Sequence, residues 1–203
     1  GRMGWDVDGN SSNSASFDSS QVRIDIARDA LNKLFESYDD IGNVNIQIID
    51  FASNVNSSDW YSDDVNAATS YLEAINPSGG TAYSTAINEV MSEFTPPSAD
   101  HTSVYFISDG EPSSGFAVDS TLQQTWESFL DTNNIDTAFG IGIGNVSVSS
   151  LEPIAYPNDD LNNDGTGDYA LQVTDPNDLA ITLLNTLENG FSSICNGILF
   201  SST

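Results

Sequence analysis

Two short segments of the sequence carry side chains of the kind that bind a divalent cation. Asp109 lies in the run SDGEP, directly after an apolar stretch, and Thr81 follows two glycines in the run SGGT. A carboxylate together with a neutral hydroxyl suits a hard ion that keeps several waters, such as Mg²⁺. Each run alone is better explained by an ordinary turn or a helix N-cap. The two runs predict a shared site only if the fold brings them together.

A third segment, DLNNDGTGD at residues 160–168, has oxygen-bearing side chains at alternate positions. Such spacing wraps oxygens around one ion, and Gly165 permits the sharp reversal that the wrapping needs. We therefore predict a calcium loop with the ligands Asp160, Asn162, Asp164, Thr166 and Asp168. The alternative is a turn rich in Asp, Asn and Gly in an acidic protein. Part of the pattern recurs near the start of the chain, where Asp6, Asp8 and Asn10 are further candidates.

The charge of the chain narrows the classes of partner. Thirty Asp and Glu residues stand against four Lys and Arg residues, which gives a formal net charge of −26. Such a surface repels nucleic-acid phosphates and anionic lipids, so we expect neither as a partner. It also destabilises the folded state unless cations bind to it or screen it. The charge agrees with a salt-adapted, solvated surface and with discrete divalent-cation sites, and we favour the sites because the acids cluster in Gly- and Asn-rich loops.

Few residues could support catalysis, a disulfide framework or a membrane anchor. Cys195 is the single cysteine, which excludes an internal disulfide and a cysteine-based zinc site. A Ser-His-Asp triad could use only His101, and the sequence has no G-x-S-x-G elbow for a nucleophile, so we expect no enzyme. There is no apolar run of about 18 residues, the length that spans a membrane. No signal peptide is visible either, which suggests an internal piece of a longer exported chain.

The elements that must position these residues alternate between strands and helices. Hydrophobic patterning predicts strands at residues 44–51, 102–108, 135–143 and 169–173, and an edge strand or loop at 54–61. It predicts helices at about residues 21–38, 64–75, 82–94, 120–131 and 177–187. The alternation implies right-handed crossovers and a Rossmann-like, doubly wound, mainly parallel α/β sheet with helices on both faces. Ligands of such sheets bind beyond the carboxyl ends of the strands, where Thr81 and Asp109 would lie. The glycines of the third strand predict that a neighbouring backbone passes close to it.

In this order and spacing, the segments resemble the von Willebrand factor A family. The run RIDIARDAL at residues 23–31 is similar to the family's first helix. The runs SGGT and SDGEP are similar to the second and third elements of its metal-ion-dependent adhesion site. Residues 44–51 and the run GIGIG at 140–144 are similar to its second and later strands. The resemblance covers about residues 3–187, and it implies Mg²⁺ or Ca²⁺ bound through Thr81 and Asp109.

The first element of the family's metal site, a D-x-S-x-S loop after its first strand, is where this chain departs from the pattern. That strand would precede Gly1, and Arg2 stands where a ligand serine belongs if residues 1–3 correspond to the end of the loop. An internal slot of a parallel sheet cannot stay empty without exposing unpaired backbone groups. A segment outside this chain could fill the slot, the tail at residues 194–200 could fold back into it, or it stays open. We favour a missing strand, because Gly197 interrupts the tail, and we then expect Asp109 to be exposed beside an incomplete metal site.

The sequence therefore predicts a von Willebrand factor A-like domain at residues 1–190, with a calcium loop near 159–168, and a tail or linker at 191–203. The resemblance, the acidity and the calcium-type loops imply a non-enzymatic, cation-dependent, calcium-stabilised adhesion module. We expect it at the cell surface, in a large bacterial adhesin of the repeats-in-toxin kind. Its partners would be a protein or surface ligand and the neighbouring domains. The alternatives are an intracellular interaction module of a chelatase-like or assembly complex, and a calcium-stabilised hydrolase.

Overall fold

Strands and helices alternate along the chain as the patterning predicts. The computed structural model describes residues 2–76, 78–158, 167–187 and 193–201, with residue 2 and residues 193–201 described by their backbone alone. The strands are β1 (Asn43–Phe51), β2 (Val55–Ser57), β3 (Tyr61–Ser62), β4 (His101–Ser108), β5 (Thr137–Ile143), β6 (Ala170–Val173) and β7 (Ser193–Ser201). The helices are α1 (Arg23–Ile41), α2 (Val65–Ala74), α3 (Tyr83–Glu93), α4 (Ser120–Thr132), α5 (Val148–Leu151) and α6 (Leu179–Asn185), with 3₁₀ turns at Arg2–Gly4 and Pro176–Asp178.

The strands form one sheet with the order β2-β1-β7-β4-β5-β6, and β3 also pairs with β1, along the same edge as β2. Strands β1, β7, β4, β5 and β6 are mutually parallel, whereas the short β2 and β3 run antiparallel to β1 at one edge. The predicted mainly parallel α/β sheet is therefore confirmed. Strand β5 lies beside β4, as expected from their place in the chain.

The prediction that a central strand is missing is wrong, because the tail of the chain fills the slot. Strand β7 lies parallel to both β1 and β4, with residue 194 opposite Val44 on one side and His101 on the other. It separates β1 from β4, which the patterning placed side by side. Pairing on both flanks satisfies the backbone groups that an empty slot would expose, and this gain outweighs the interruption at Gly197. Residues 193–201 are thus part of the sheet and not a linker.

Two apolar layers cover the two faces of the sheet, as the doubly wound arrangement requires. Helices α1, α2 and α6 pack on one face against alternate residues of β1, β4 and β5, such as Ile46 and Tyr105. Helices α3 and α4 pack on the other face against the remaining residues, such as Phe51 and Phe106. Strands β1 and β4 are buried almost throughout, which agrees with the apolar residues at 48–49 and 104–107, and polar residues such as Asn45 and Ser103 are buried with them. No helix in the described ranges is long and apolar enough to cross a membrane.

The glycines of β5 allow the close approach that the sequence predicts. Helix α5 and the turn before it pack directly over this strand. A Cβ on Gly142 would lie 2.7 Å from the Cβ of Val146, and a Cβ on Gly140 would lie 3.0 Å from the Cβ of Leu151. A Cβ at Gly142 would clash and one at Gly140 would be tightly crowded, so glycine at these positions lets α5 and the turn before it pack over the end of the strand. Helix α5 itself was not predicted, because it is a single turn in a polar segment.

Candidate functional site

The carboxyl ends of the parallel strands and the loops beside them form one continuous surface, which we call the rim. It comprises residues 52–54 after β1, 78–82 before α3, 109–118 after β4 and 144–147 after β5. Both predicted adhesion-site residues, Thr81 and Asp109, lie in rim loops. The parallel sheet brings these loops to the same edge, although they are far apart in sequence.

Hydrogen bonds to two serines fix the turn that carries Thr81. The Ser53 hydroxyl accepts a hydrogen bond from the backbone N–H of Gly80 at 2.8 Å. The backbone N–H of Thr81 donates to the Ser113 hydroxyl at 3.1 Å, and the Ser113 N–H donates back to the Thr81 carbonyl at 2.8 Å. Gly79 has a φ of +97°, and a Cβ at this position would clash with Ser53. The turn therefore joins the loop after β1 to the loop after β4.

The segment after β4 is tied to the elements on either side of it. The Tyr83 hydroxyl, at the start of α3, donates a hydrogen bond to the Gly110 carbonyl at 2.8 Å. The Glu111 carboxylate accepts hydrogen bonds from the Ser147 N–H and the Ser150 hydroxyl, at the beginning of α5. These contacts leave the loop little freedom to move relative to the sheet. None of these supporting residues was singled out from the sequence, because their roles depend on contacts between distant segments.

Asp109 lies deeper than the sequence predicts. We expected its carboxylate to be exposed beside an incomplete site, but the residue is only 2% exposed. The expectation failed because the first residue of α1, Arg23, reaches over it. The Arg23 Nη1 lies 3.6 Å from the Asp109 Oδ2, and the side chains of these two residues are 12% and 0% exposed, respectively.

The arrangement around Asp109 does not fit the divalent cation that the family resemblance implies. Mg²⁺ requires near-octahedral oxygen ligands at about 2.1 Å. Thr81 and Asp109 would supply two such oxygens, but a guanidinium group already faces the carboxylate. A second cation placed on the same oxygen would be repelled. Within the described ranges, no cluster of three or more His, Cys, Asp or Glu residues has the geometry to hold a metal ion.

The predicted calcium loop falls largely outside the described residues. Asp160, Asn162, Asp164 and Thr166 belong to that part of the chain, so their placement is not discussed. Asp168 lies just before β6 and is partly buried. The loop therefore stays a prediction.

The acidic segment near the start of the chain uses its first aspartate as a structural residue. The Asp6 carboxylate accepts hydrogen bonds from the backbone N–H and the side-chain amide of Asn10, and from the backbone N–H of Asp18. Burial alone would raise the pKa of Asp6, but these hydrogen bonds outweigh it and hold the pKa below its usual value. Asp8 is exposed, and its backbone N–H adds to the hydrogen bonding around the Asp6 carboxylate. Asp6 and Asn10 are thus brought together to close a loop.

A group with the connectivity of a catalytic triad lies at the opposite, amino-terminal end of the sheet. The His101 Nδ1 lies 3.1 Å from Asp136 Oδ2, and its Nε2 lies 2.8 Å from the Ser103 hydroxyl. Ser103 is only 1% exposed, and its hydroxyl also hydrogen-bonds Thr137 at 2.8 Å. A nucleophile must reach its substrate, and this hydroxyl is sealed between strands. The group therefore links β4 to β5 and gives no support to a hydrolase.

The comparisons with known proteins agree with this architecture. Two crystal forms of proximal thread matrix protein 1 from the mussel byssus align with 15% sequence identity and TM-scores of 0.61 and 0.62, over 80% of this chain. This chain spans 39% of the length of that protein. An aerotolerance-related membrane protein from Bacteroides fragilis NCTC 9343, carrying multiple mutations to serine, aligns with 22% identity and a TM-score of 0.48, over 70% of this chain and 62% of that one.

The likeness to the mussel protein, at this level of identity, establishes the fold. Comparison with curated protein sequences finds no match. The family model described as von Willebrand factor type A domain matches residues 7–111, just over half of the chain, from the residue after Asp6 to the loop that follows β4. The chain therefore belongs to the von Willebrand factor type A domain family.

Proposed function

We propose that this protein-interaction domain is a non-enzymatic adhesion module and that it binds its ligand at the rim. The observation that carries the proposal is an aromatic side chain held exposed on a fixed rim turn. Phe116 is 42% exposed, and it is one of two large hydrophobic residues in the described ranges that are exposed to solvent. The other, Ile181, lies on α6, outside the rim loops.

The backbone of Phe116 is fixed on both sides. Its N–H donates to the Ser113 carbonyl at 2.9 Å, and its carbonyl accepts a hydrogen bond from the Ser84 N–H at 2.9 Å. Gly115, with a φ of +83°, makes the turn that directs Phe116 outwards. A residue whose backbone is already fixed loses less conformational entropy on binding than one in a flexible loop. Exposed aromatic residues held in this way are the usual anchors of protein–protein interfaces.

The charge of the domain defines the chemistry of its ligand. With a net charge of −26, the domain favours a protein surface that carries basic groups around an apolar pocket. Complementary charge would speed association and exclude acidic partners, while the apolar pocket would receive Phe116. Both features support a protein ligand over a nucleic acid.

We further propose an extracellular setting, in a large bacterial adhesin of the repeats-in-toxin kind. The support is the strong acidity, the single cysteine and the calcium-type loop at residues 160–168. Millimolar calcium outside cells would neutralise part of the negative charge and fill such a loop. The neighbouring domains of the longer chain would then be the intramolecular partners of this module.

The rim proposal predicts that Phe116→Ser weakens ligand binding and that Ile181→Ser does not. Beads coated with each variant would be tested on a panel of immobilised extracellular proteins and on bacterial cells. We expect the wild-type domain to adhere to at least one surface, and Phe116→Ser to lower the affinity roughly 30-fold, as loss of an interface hot spot does. Both variants remove one exposed apolar side chain, so the pair separates position from hydrophobicity. Equal losses in the two variants, or no adhesion to any surface, would contradict the proposal.

Calcium is expected to stabilise the folded domain through Asp160, Asn162, Asp164 and Asp168. Binding to the folded state alone raises the free energy of unfolding by about 2.7 kcal/mol at a calcium concentration 100 times Kd. Thermal melts in chelator and in millimolar calcium measure the effect, with Asp164→Ala as the variant that should lose it. A midpoint that does not respond to calcium, or that responds equally in Asp164→Ala, would refute the loop.

A further inference from the structure

We infer that Arg23 is a built-in cation that takes the place of a divalent metal at Asp109. The rim of this chain would then be assembled without a metal ion. The inference rests on the geometry around Arg23, and it holds or fails independently of the ligand proposed above.

The buried Asp109 carboxylate requires a compensating positive charge. A carboxylate with a side chain 0% exposed is costly unless a positive group compensates it. The Arg23 guanidinium supplies that charge at 3.6 Å, from a side chain that is itself 12% exposed. The two charges belong to α1 and to the loop after β4, so they join the first helix to the rim.

Arg23 is also held in place by groups other than Asp109. Its Nε donates a hydrogen bond to the Asp6 carbonyl at 3.1 Å, and its Nη2 lies 3.5 Å from the Val7 carbonyl. The backbone N–H of Arg23 donates to the Trp5 carbonyl at 3.0 Å, which positions the start of α1 against this segment. The Asp6 carboxylate in turn closes the loop through Asn10. The position of the guanidinium is therefore fixed by residues 5–10 as well as by Asp109.

The surrounding backbone also fits the Arg23 guanidinium. A Cβ on Gly9 would lie 3.8 Å from the Arg23 Nη2, and a Cβ on Gly144 would lie 3.9 Å from Nη1. Both glycines have positive φ, +84° and +74°, so both loops turn sharply where they approach the guanidinium. The loop at residues 6–10 and the loop after β5 thus enclose the Arg23 guanidinium from two sides. The guanidinium faces Asp109.

Positively charged side chains are scarce in this chain. The chain has four Lys and Arg residues against thirty Asp and Glu residues. One of these four is placed over a buried carboxylate, where it cannot screen the acidic surface. A divalent ion on the Asp109 Oδ2 would sit within about 6 Å of the Arg23 Nη1, given metal–oxygen distances of about 2.1 Å. The Arg23 guanidinium and a divalent ion would therefore compete for the same position beside the Asp109 carboxylate.

The test measures whether metal and arginine exclude each other, with Mn²⁺ alone as the probe. All proteins carry Asp164→Ala, so that the proposed calcium loop does not contribute. With Arg23 present, we expect no Mn²⁺ signal in electron paramagnetic resonance that Asp109→Asn removes. We also expect millimolar Mn²⁺ to shift the melting midpoint no more than it does in Asp109→Asn, where only screening of the acidic surface contributes. Arg23→Gln should lower the midpoint by on the order of 10 °C, because it removes the positive charge that faces the buried Asp109 carboxylate.

Mn²⁺ should restore part of the midpoint in Arg23→Gln, and adding Asp109→Asn should abolish that recovery. Arg23→Lys keeps the charge and should stay closer to wild type than Arg23→Gln. Mn²⁺ binding in the chain that retains Arg23, lost on Asp109→Asn, would overturn the inference, and this measurement requires no Arg23 variant to fold. Strictly additive effects of Arg23→Gln and Asp109→Asn on the midpoint would overturn it too, because the pair would then contribute nothing.

Discussion

Deleting residues 188–203 is expected to abolish folding of the domain. The deletion removes β7, whose nine residues pair with β1 on one side and which also pairs with β4 along most of its length. Both neighbours would become edges in the middle of the sheet, with unpaired backbone groups and exposed apolar faces. A domain has only about 5–15 kcal/mol of net stability, and the loss of a central strand exceeds it. Far-ultraviolet circular dichroism and hydrogen exchange would report the loss.

Two proline substitutions provide a matched control for the deletion. Proline at Ile198 removes a backbone donor in the centre of the strand, opposite Ile48 and Tyr105. Proline at Ser193 affects only the first residue of the strand, where proline is tolerated. We expect the former to unfold the domain and the latter to leave most of its stability. Cooperative unfolding of the deleted chain at the wild-type midpoint would show that β7 does not hold the sheet together.

Replacing Tyr83 with alanine is expected to cost about 3–5 kcal/mol of unfolding free energy, the range for large aromatic truncations in a core. Tyr83 is fully buried and lies edge-on to Phe106, with ring centroids 4.7 Å apart. Its hydroxyl also fixes the rim through the Gly110 carbonyl. The variant should therefore weaken the core and loosen the loop that carries Asp109. Urea denaturation gives the first effect, and hydrogen exchange at residues 109–118 gives the second.

Tyr83→Phe separates the hydroxyl from the ring. Losing one hydrogen bond should cost about 1 kcal/mol, with the core intact. Burial, together with the charges of Glu111 and Asp109, raises the pKa of the Tyr83 hydroxyl above its usual value. The folded state then keeps this proton where the unfolded state loses it, so stability is full below about pH 10 and falls as the pH rises further. Tyr83→Phe should reduce this alkaline loss; an unchanged pH profile would contradict the role given to the hydroxyl.

Hydrophobic patterning was sufficient to predict the positions of the strands and helices that are regular and buried. The apolar runs of β1 and β4 and the glycines of β5 correspond directly to what the sheet and α5 require. The slot of β7 was not predictable in this way. A glycine in the middle of the tail disfavours a strand locally. The tail forms a strand because β1 and β4, on either side of it, would otherwise have unpaired backbone groups.

The candidate site was predictable in its loops and not in its electrostatics. The runs around Thr81 and Asp109 lie beyond the carboxyl ends of the strands, as the sequence predicts. The partner of Asp109 was missed because a long, flexible side chain can reach many places, and its position depends on the packing of residues 5–10 against the start of α1. A signal was nevertheless present: Arg23 is one of four cations and lies inside the helix that carries the family resemblance.

The position of β7 also has a consequence for how the domain folds during synthesis. The two strands that flank it are made long before it, at residues 43–51 and 101–108. The ribosome therefore releases most of the helices and both neighbours while the middle of the sheet is still incomplete. Contacts over such sequence distances form slowly, and the exposed strand edges are prone to aggregate in the meantime. We therefore expect refolding to be limited by the docking of the last strand, and nascent chains to depend on chaperones until residues 193–201 emerge.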